Sequence, residues 1–189
     1  MNITPNFDRT EAFDGSFDRL PAGGYVCKIM NAWCENSRNG SEMLCLALDI
    51  AEGAYAGKFS KEYKNKETTD PNARWGCTFK QFTLDNNGST NSFFKGLLKS
   101  VQDSNPGYMW NWQEASLNGK LIGMIFREEE FVANDGSIKT TVRPAFTRSV
   151  QRIRDGVEVP EIRRLSGNAA AMHSAGFTPV SNEKLPWEK

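Results

Sequence analysis

Apolar and polar positions alternate cleanly along "MLCLALDIA": Leu44, Leu46, Leu48 and Ile50 fall on one face, Cys45, Ala47 and Asp49 on the other. A period of two is the mark of a β-strand with one buried side. Upstream, Pro21 and the pair Gly23-Gly24 punctuate the chain, and Tyr25 to Trp33 reads as a partner strand across the polar turn "ENSRNGSE". The second side of this hairpin carries small groups, so a ligand could approach the sheet there, or another part of the chain could cover it. After the glycine-bearing turn "EGAYAGK", "KFSKEY" reads as a third strand. Between Lys64 and Arg74 the chain is polar and predicts a loop; "RWGCTFKQFTL" then either continues the third strand or lays a short extension beside it.

The period changes after "DNNGST". Phe93, Phe94, Leu97, Leu98 and Val101 recur at the spacing of one helical face, with Ser89 or Thr90 as a cap and Asn105-Pro106-Gly107 as the stop. "YMWNWQEASLNG" is a connector with aromatic anchors. "KLIGMIFREEEFVA", "NDG" and "SIKTTVRPAFTRSV" form a second hairpin signal. The order is strand, strand, strand, helix, strand, strand. That predicts a mainly β protein: an OB-fold-like five-stranded Greek-key barrel, its helix between strands 3 and 4. Residues 1–17 read as an extended leader, 18–156 as the barrel domain and 157–189 as a C-terminal extension ending in a flexible tail, because the last stretch has too little apolar mass to offset its ordering entropy.

Composition narrows the chemistry. With 23 Lys and Arg against 23 Asp and Glu the chain is formally neutral, so a polyanion would have to be met by a local patch. No apolar run approaches the roughly 20 residues of a membrane span, and the opening "MNITPNFDRTEAFDG" is neither a secretory signal nor a transit peptide, which predicts a cytoplasmic protein. Cys27, Cys34, Cys45 and Cys77 lack paired metal-ligand spacing, and the single His173 lies far away, so neither a metal nor a cofactor is expected. Nucleotide-binding, serine-hydrolase and zinc-protease motifs are missing. The run Glu128-Glu129-Glu130 reads as a solvated strand edge, since alternate residues face opposite ways. Catalysis is not expected.

Single-stranded nucleic acid is held by a basic groove and by rings that stack on bases. Read as a strand, "GKFSKEYKNK" puts Phe59, Lys61 and Tyr63 on one face, with Lys58, Lys64 and Lys66 near and Arg74, Trp75, Phe79 and Lys80 across the loop. From Lys58 to Lys80 six cations stand against three carboxylates. The last hairpin adds Lys139 and Arg143, on one side with Thr141. Each ring has an ordinary alternative as barrel core, and strand lysines also protect sheet edges. The combination predicts a single-stranded DNA site.

The "PAGGY" opening of the first strand, the "LDIAEG" and "AGK" stretch, and the hairpin "GKLIGMIFREEEFVANDGSIKT" resemble a family of uncharacterised proteins encoded by tailed phages and prophages. The likeness covers most of residues 18–156. It implies an OB-fold, and a phage protein that protects displaced single strands in replication or recombination, in the cytoplasm of a host cell. No catalytic motif comes with it. In similar bacterial proteins an acidic, apolar tail tip docks replication and repair enzymes. Here Leu185, Pro186 and Trp187 have that plan, but Lys184 and Lys189 match Glu183 and Glu188. Docking of phage or host proteins, folding back onto the barrel, and bridging to a second copy in a homo-oligomer stay open for Trp187. A barrel that binds a protein partner instead of DNA is the rival reading.

Overall fold

The computed structural model describes residues 19–165. β1 (Gly23–Asn36), β2 (Glu42–Ile50), β3 (Thr78–Phe82), β4 (Leu121–Val132) and β5 (Ile138–Arg148) form one antiparallel sheet in the order β3-β2-β1-β4-β5. The fold is mainly β, and both predicted hairpins are present. The sheet is open, with β3 and β5 as its two unpaired edges. Helix α2 (Ser92–Ser104) lies between the third and fourth strands, as the apolar spacing requires. Its cap is Asn91, whose side chain accepts from Phe93 N at 2.9 Å, and not Ser89 or Thr90. Asn105 stops it and ties it to β4: the amide donates to Val101 O (2.7 Å) and Leu121 O (2.8 Å) and accepts from Leu121 N (3.0 Å). Among the described residues no helix is long and apolar enough to cross a membrane.

The expected strand at "KFSKEY" is instead α1 (Lys58–Glu67), and the third strand is the later segment Thr78–Phe82. The cause lies ten residues upstream. Gly57, in left-handed conformation at φ 73°, offers no side chain as a cap. Asp49 of β2 supplies one: it accepts from Phe59 N (3.0 Å) and Ser60 N (3.3 Å), from its neighbour Ile50 N (2.9 Å), and from the Ser60 hydroxyl. Two of the orphan donors of the first turn are thus satisfied by a buried carboxylate. Lys58 and Glu62, one turn apart, pair at 2.9 Å and favour the helix further.

Inside the sheet, Cys27, Ile29, Leu44, Leu46, Leu48, Ile122, Met124 and Phe126 pack against Leu97 and Val101 of α2 and Leu117 of the connector. Tyr25 meets Phe126 edge to face with ring centres 5.4 Å apart. The outside of β1 and β4 is covered by α3 (Val150–Arg154), and "PAGGY" has its reason here. A Cβ on Gly24 would stand 2.5 Å from Val157 Cγ2, and one on Gly123 2.5 Å from Ile153 Cγ1 and 2.7 Å from the Ser149 carbonyl oxygen. Only glycine admits such an approach. The acidic run is a solvated edge only at Glu128, which is exposed. Glu129 pairs with Arg127 at 2.8 Å and bridges to Arg163. Glu130 accepts from Leu165 N at 3.0 Å. The described stretch up to Leu165 therefore returns to β4.

Candidate nucleic-acid interface

The open seam between β3 and β5 is a cleft of about 540 Å³. Five of the twelve residues expected in a nucleic-acid site line it: Phe59, Trp75, Phe79, Lys80 and Arg143. Lys80 and Arg143 are far apart in sequence, and the fold sets them on opposite walls. The rings serve mainly as packing. Phe59 and Phe79 are buried in the core, and Phe59 stacks on Phe126 at 6.5 Å. Trp75 is half-buried, donating from Nε1 to Leu48 O at 2.9 Å and packing on Tyr63 at 5.5 Å.

The helical geometry of α1 removes the ring, charge, ring alternation expected of Phe59, Lys61 and Tyr63. On a helix, Lys61 and Lys64 fall on the side away from Phe59, and both are exposed. Lys61, Lys64, Lys66 and Arg74 do not line the seam, and Lys58 is turned to Glu62. On the last hairpin, Lys139 and Arg143 do share a face with Thr141: in register they oppose Phe131, Arg127 and Glu129. Lys139 is held in the turn by Asp135 at 3.0 Å. The Asp135 carboxyl is kept below its ordinary range by the Ser137 hydroxyl and backbone first, then by Lys139.

The two cations of the seam differ in their restraint. Lys80 Nζ lies 2.5 Å from Glu35 Oε1. That hydrogen bond lowers the Glu35 pKa, with Trp33 Nε1 assisting at 3.3 Å, and raises that of Lys80. Arg143 stands opposite Arg127 across β4 and β5. Like charges in register repel. Glu129 neutralises Arg127, whose guanidinium also lies over the Phe146 ring at 5.6 Å. Arg143 meets no carboxylate within ion-pair distance among the described residues. It is a cation without a counterion on a chain that pairs many of its charges.

Outside the core, β1, β2 and β3 align Trp33, Cys45 and Lys80 in one row and Glu35, Met43 and Phe82 in the next. Trp33 and Phe82 belong to this face and were not singled out by the sequence reading, although strand alternation places them. Between them Cys45 is fully buried, its thiol pushed up to about 11 chiefly by that burial. Asp49 is covered by α1, so the small-residue side of β2 is closed by the protein itself.

A second surface is of the opposite kind. Leu84, Phe94, Trp110, Trp112, Glu42 and Glu114 line a groove of about 460 Å³ with no cation in its wall. Trp112 is 77 % exposed and held at φ 64°, with its ring 6.2 Å from that of Trp110. Cys34 also lines it. Its thiol is pushed up to about 12, first by burial of the sulfur and then by hydrogen bonding to Glu114. Leu185, Pro186 and Trp187 lie outside the described residues.

In sequence, the model of an uncharacterised family, described as protein of unknown function (DUF669), matches residues 5–84. The match takes in β1, β2, α1 and β3 and stops before α2, so Lys80 falls inside it and Arg143 outside. No curated protein matches the chain.

Proposed function

We propose that this is a non-enzymatic, sequence-tolerant single-stranded DNA-binding protein that seats the strand in the seam between β3 and β5. The observation that carries the reading is the convergence of Lys80 and the unpaired Arg143 on the two walls of that seam. The strand order supports it too, since it is what an OB-fold would show if opened between its third and fifth strands, a fold whose sheet and loops bind oligonucleotides. Phosphate contacts of this kind make the logarithm of affinity fall linearly with log salt, with a slope of about −0.7 per contact for single strands. The phage setting and the role in replication or recombination come from the resemblance of the hairpin sequences and form part of the proposal. So does docking of replication or recombination proteins through Leu185–Trp187. Titrating labelled oligo-dT at several salt concentrations tests the core of it. Binding that weakens steeply with salt supports the reading; no binding at low salt overturns it.

The rival, a module that binds a protein partner, is favoured by the acidic groove around Trp112, which suits no polyanion. Deleting residues 166–189 separates the two. Oligonucleotide affinity that survives the deletion, with loss of partner recruitment, supports a DNA binder with a docking tail. No DNA binding by either form, with a protein partner still captured by the shortened chain, supports the module.

A further inference from the structure

β5 does not keep one parity along its length. Lys139, Thr141 and Arg143 oppose Phe131, Glu129 and Arg127, but Phe126 opposes Pro144 while Ile125 opposes Phe146. Ala145 is thus the extra residue of a β-bulge, placed beside the proline that breaks the ladder. The bulge resets the alternation. Phe146, opposite Ile125, and Arg148, opposite Gly123, come round to the face that carries Lys139, Thr141 and Arg143. Without it they would point the other way. Gly123 is where α3 presses on the sheet, and α3 brings Arg152 to the same end of β5.

That end is hollow. A second cleft, of about 500 Å³, opens between β5, α2 and α3, and Phe79 is a wall of both this cleft and the seam. On β5, Pro144 lines the seam and the next residue, Ala145, lines this cleft, so the two adjoin along that strand. Arg148 and Arg152 line the second cleft together with Phe93, Phe146 and the Lys99–Asp103 pair, which is closed on itself at 2.9 Å. Arg148 donates only to the Thr147 carbonyl, at 2.7 Å, and neither arginine meets a carboxylate within ion-pair distance among the described residues. Phe93 is 64 % exposed, an apolar ring standing at the rim although its spacing suggested the buried helix face.

We infer that the single-strand track does not end in the seam but continues past Phe79 into this cleft, where Arg148 and Arg152 hold phosphates and Phe93 offers a ring to a base. The inference rests on the reading of the seam as a single-strand site. Guanidinium groups suit phosphate oxygens because their forked donors engage two at once, and an exposed ring accepts any base by stacking. The bulge is the device that puts both stretches of β5 to one use.

The test uses the full chain, labelled oligo-dT and oligo-U of about 16 nucleotides, the upper site size of such a domain, and a salt series. Arg148→Glu with Arg152→Glu is compared with Lys61→Glu with Lys64→Glu, which changes net charge equally but on the outer side of α1. The arginine pair is expected to lose at least about tenfold in affinity, and its salt slope to shrink by about 1.4, two single-strand contacts. The lysine pair is expected to lose less than about threefold, with the slope nearly unchanged. Equal losses in the two pairs, or none in the arginine pair, overturn the extended track while leaving the seam intact. A wild-type protein that binds neither oligomer overturns both. If the glutamate pair fails to unfold cooperatively, Arg148→Gln with Arg152→Gln carries the test through the slope. The two oligomers rank DNA against RNA on the same track.

Discussion

The seam along β5 and the groove around Trp112 are similar in volume and opposite in character. The seam and the cleft beside it gather arginines without counterions over rings that are mostly core, and the carboxylates in their walls, Glu129 and Asp103, are paired with Arg127 and Lys99. The groove gathers exposed tryptophan with two carboxylates and no cation. On the proposed function, a count of aromatic side chains alone would point to the groove instead of the seam. The difference teaches how charge would select the surface on that proposal, with rings only refining it: a phosphate chain at the groove would meet repulsion from Glu42 and Glu114 before any stacking on Trp112 could be gained.

Breaking the scaffold of the seam should have the largest effect. Asp49→Ala removes the acceptor that caps α1 and leaves buried N–H groups unpaired, costing roughly 1–3 kcal/mol of stability. Thermal unfolding reads this as a lower midpoint, and DNA affinity should fall with it because Phe59 and Trp75 form one wall. Gly123→Ala comes next. The new methyl meets backbone oxygens that cannot move away cheaply, so α3 must lift, at a cost of about 1–3 kcal/mol. A midpoint equal to wild type would show that the sheet can shift under it.

Arg143→Glu tests charge without touching the core. Loss of one charge-assisted contact, worth about 1.5 kcal/mol, weakens oligo-dT binding roughly tenfold. Unchanged affinity would move the strand off this wall. Acid gives a smaller handle. Glu35 and Asp135 have folded pKa values below their unfolded ones, so their contribution is complete above about pH 5. It disappears as pH falls through the folded values. Glu35→Gln with Asp135→Asn should therefore flatten the acid limb of a stability–pH curve. Trp112→Ala closes the series: DNA affinity should stay within about twofold, since an exposed residue away from the contacts contributes little. A large loss would merge the two surfaces into one site.

The hairpins were readable because alternation and turn residues are local signals, and the α2 face was readable for the same reason. α1 was not. Its cap is supplied by Asp49 across a turn, and the even spacing of Phe59, Lys61 and Tyr63 in "KFSKEY" also fits one face of a strand. The spacing of Phe59 with Tyr63 and of Lys58 with Glu62 was the available hint. Phe93 looked like a core position because helical spacing marks a stripe without giving its width. Lys80 and Arg143 were both candidates in the sequence, yet nothing local placed them across one seam, which needed the pairing of all five strands. Phe146, Arg148 and Arg152, which the extended track would use, were not singled out in the sequence, although Pro144 inside a strand is a known sign of a bulge. Their facing follows from one extra residue that no composition reveals. Glu129 and Glu130 were taken for solvent groups because their partners, Arg163 and Leu165, come from a stretch that shows no periodicity.

The Ala145 bulge makes the molecule sensitive to length where it tolerates chemistry. Many substitutions at that position would leave the two stretches of β5 in phase, but loss or gain of one residue between Val142 and Phe146 would rotate everything downstream by half a turn. A homologue shorter by one at this point would keep the same basic residues and present them to a different side. Comparing chain lengths there would sort relatives by what they hold more sharply than comparing their charges.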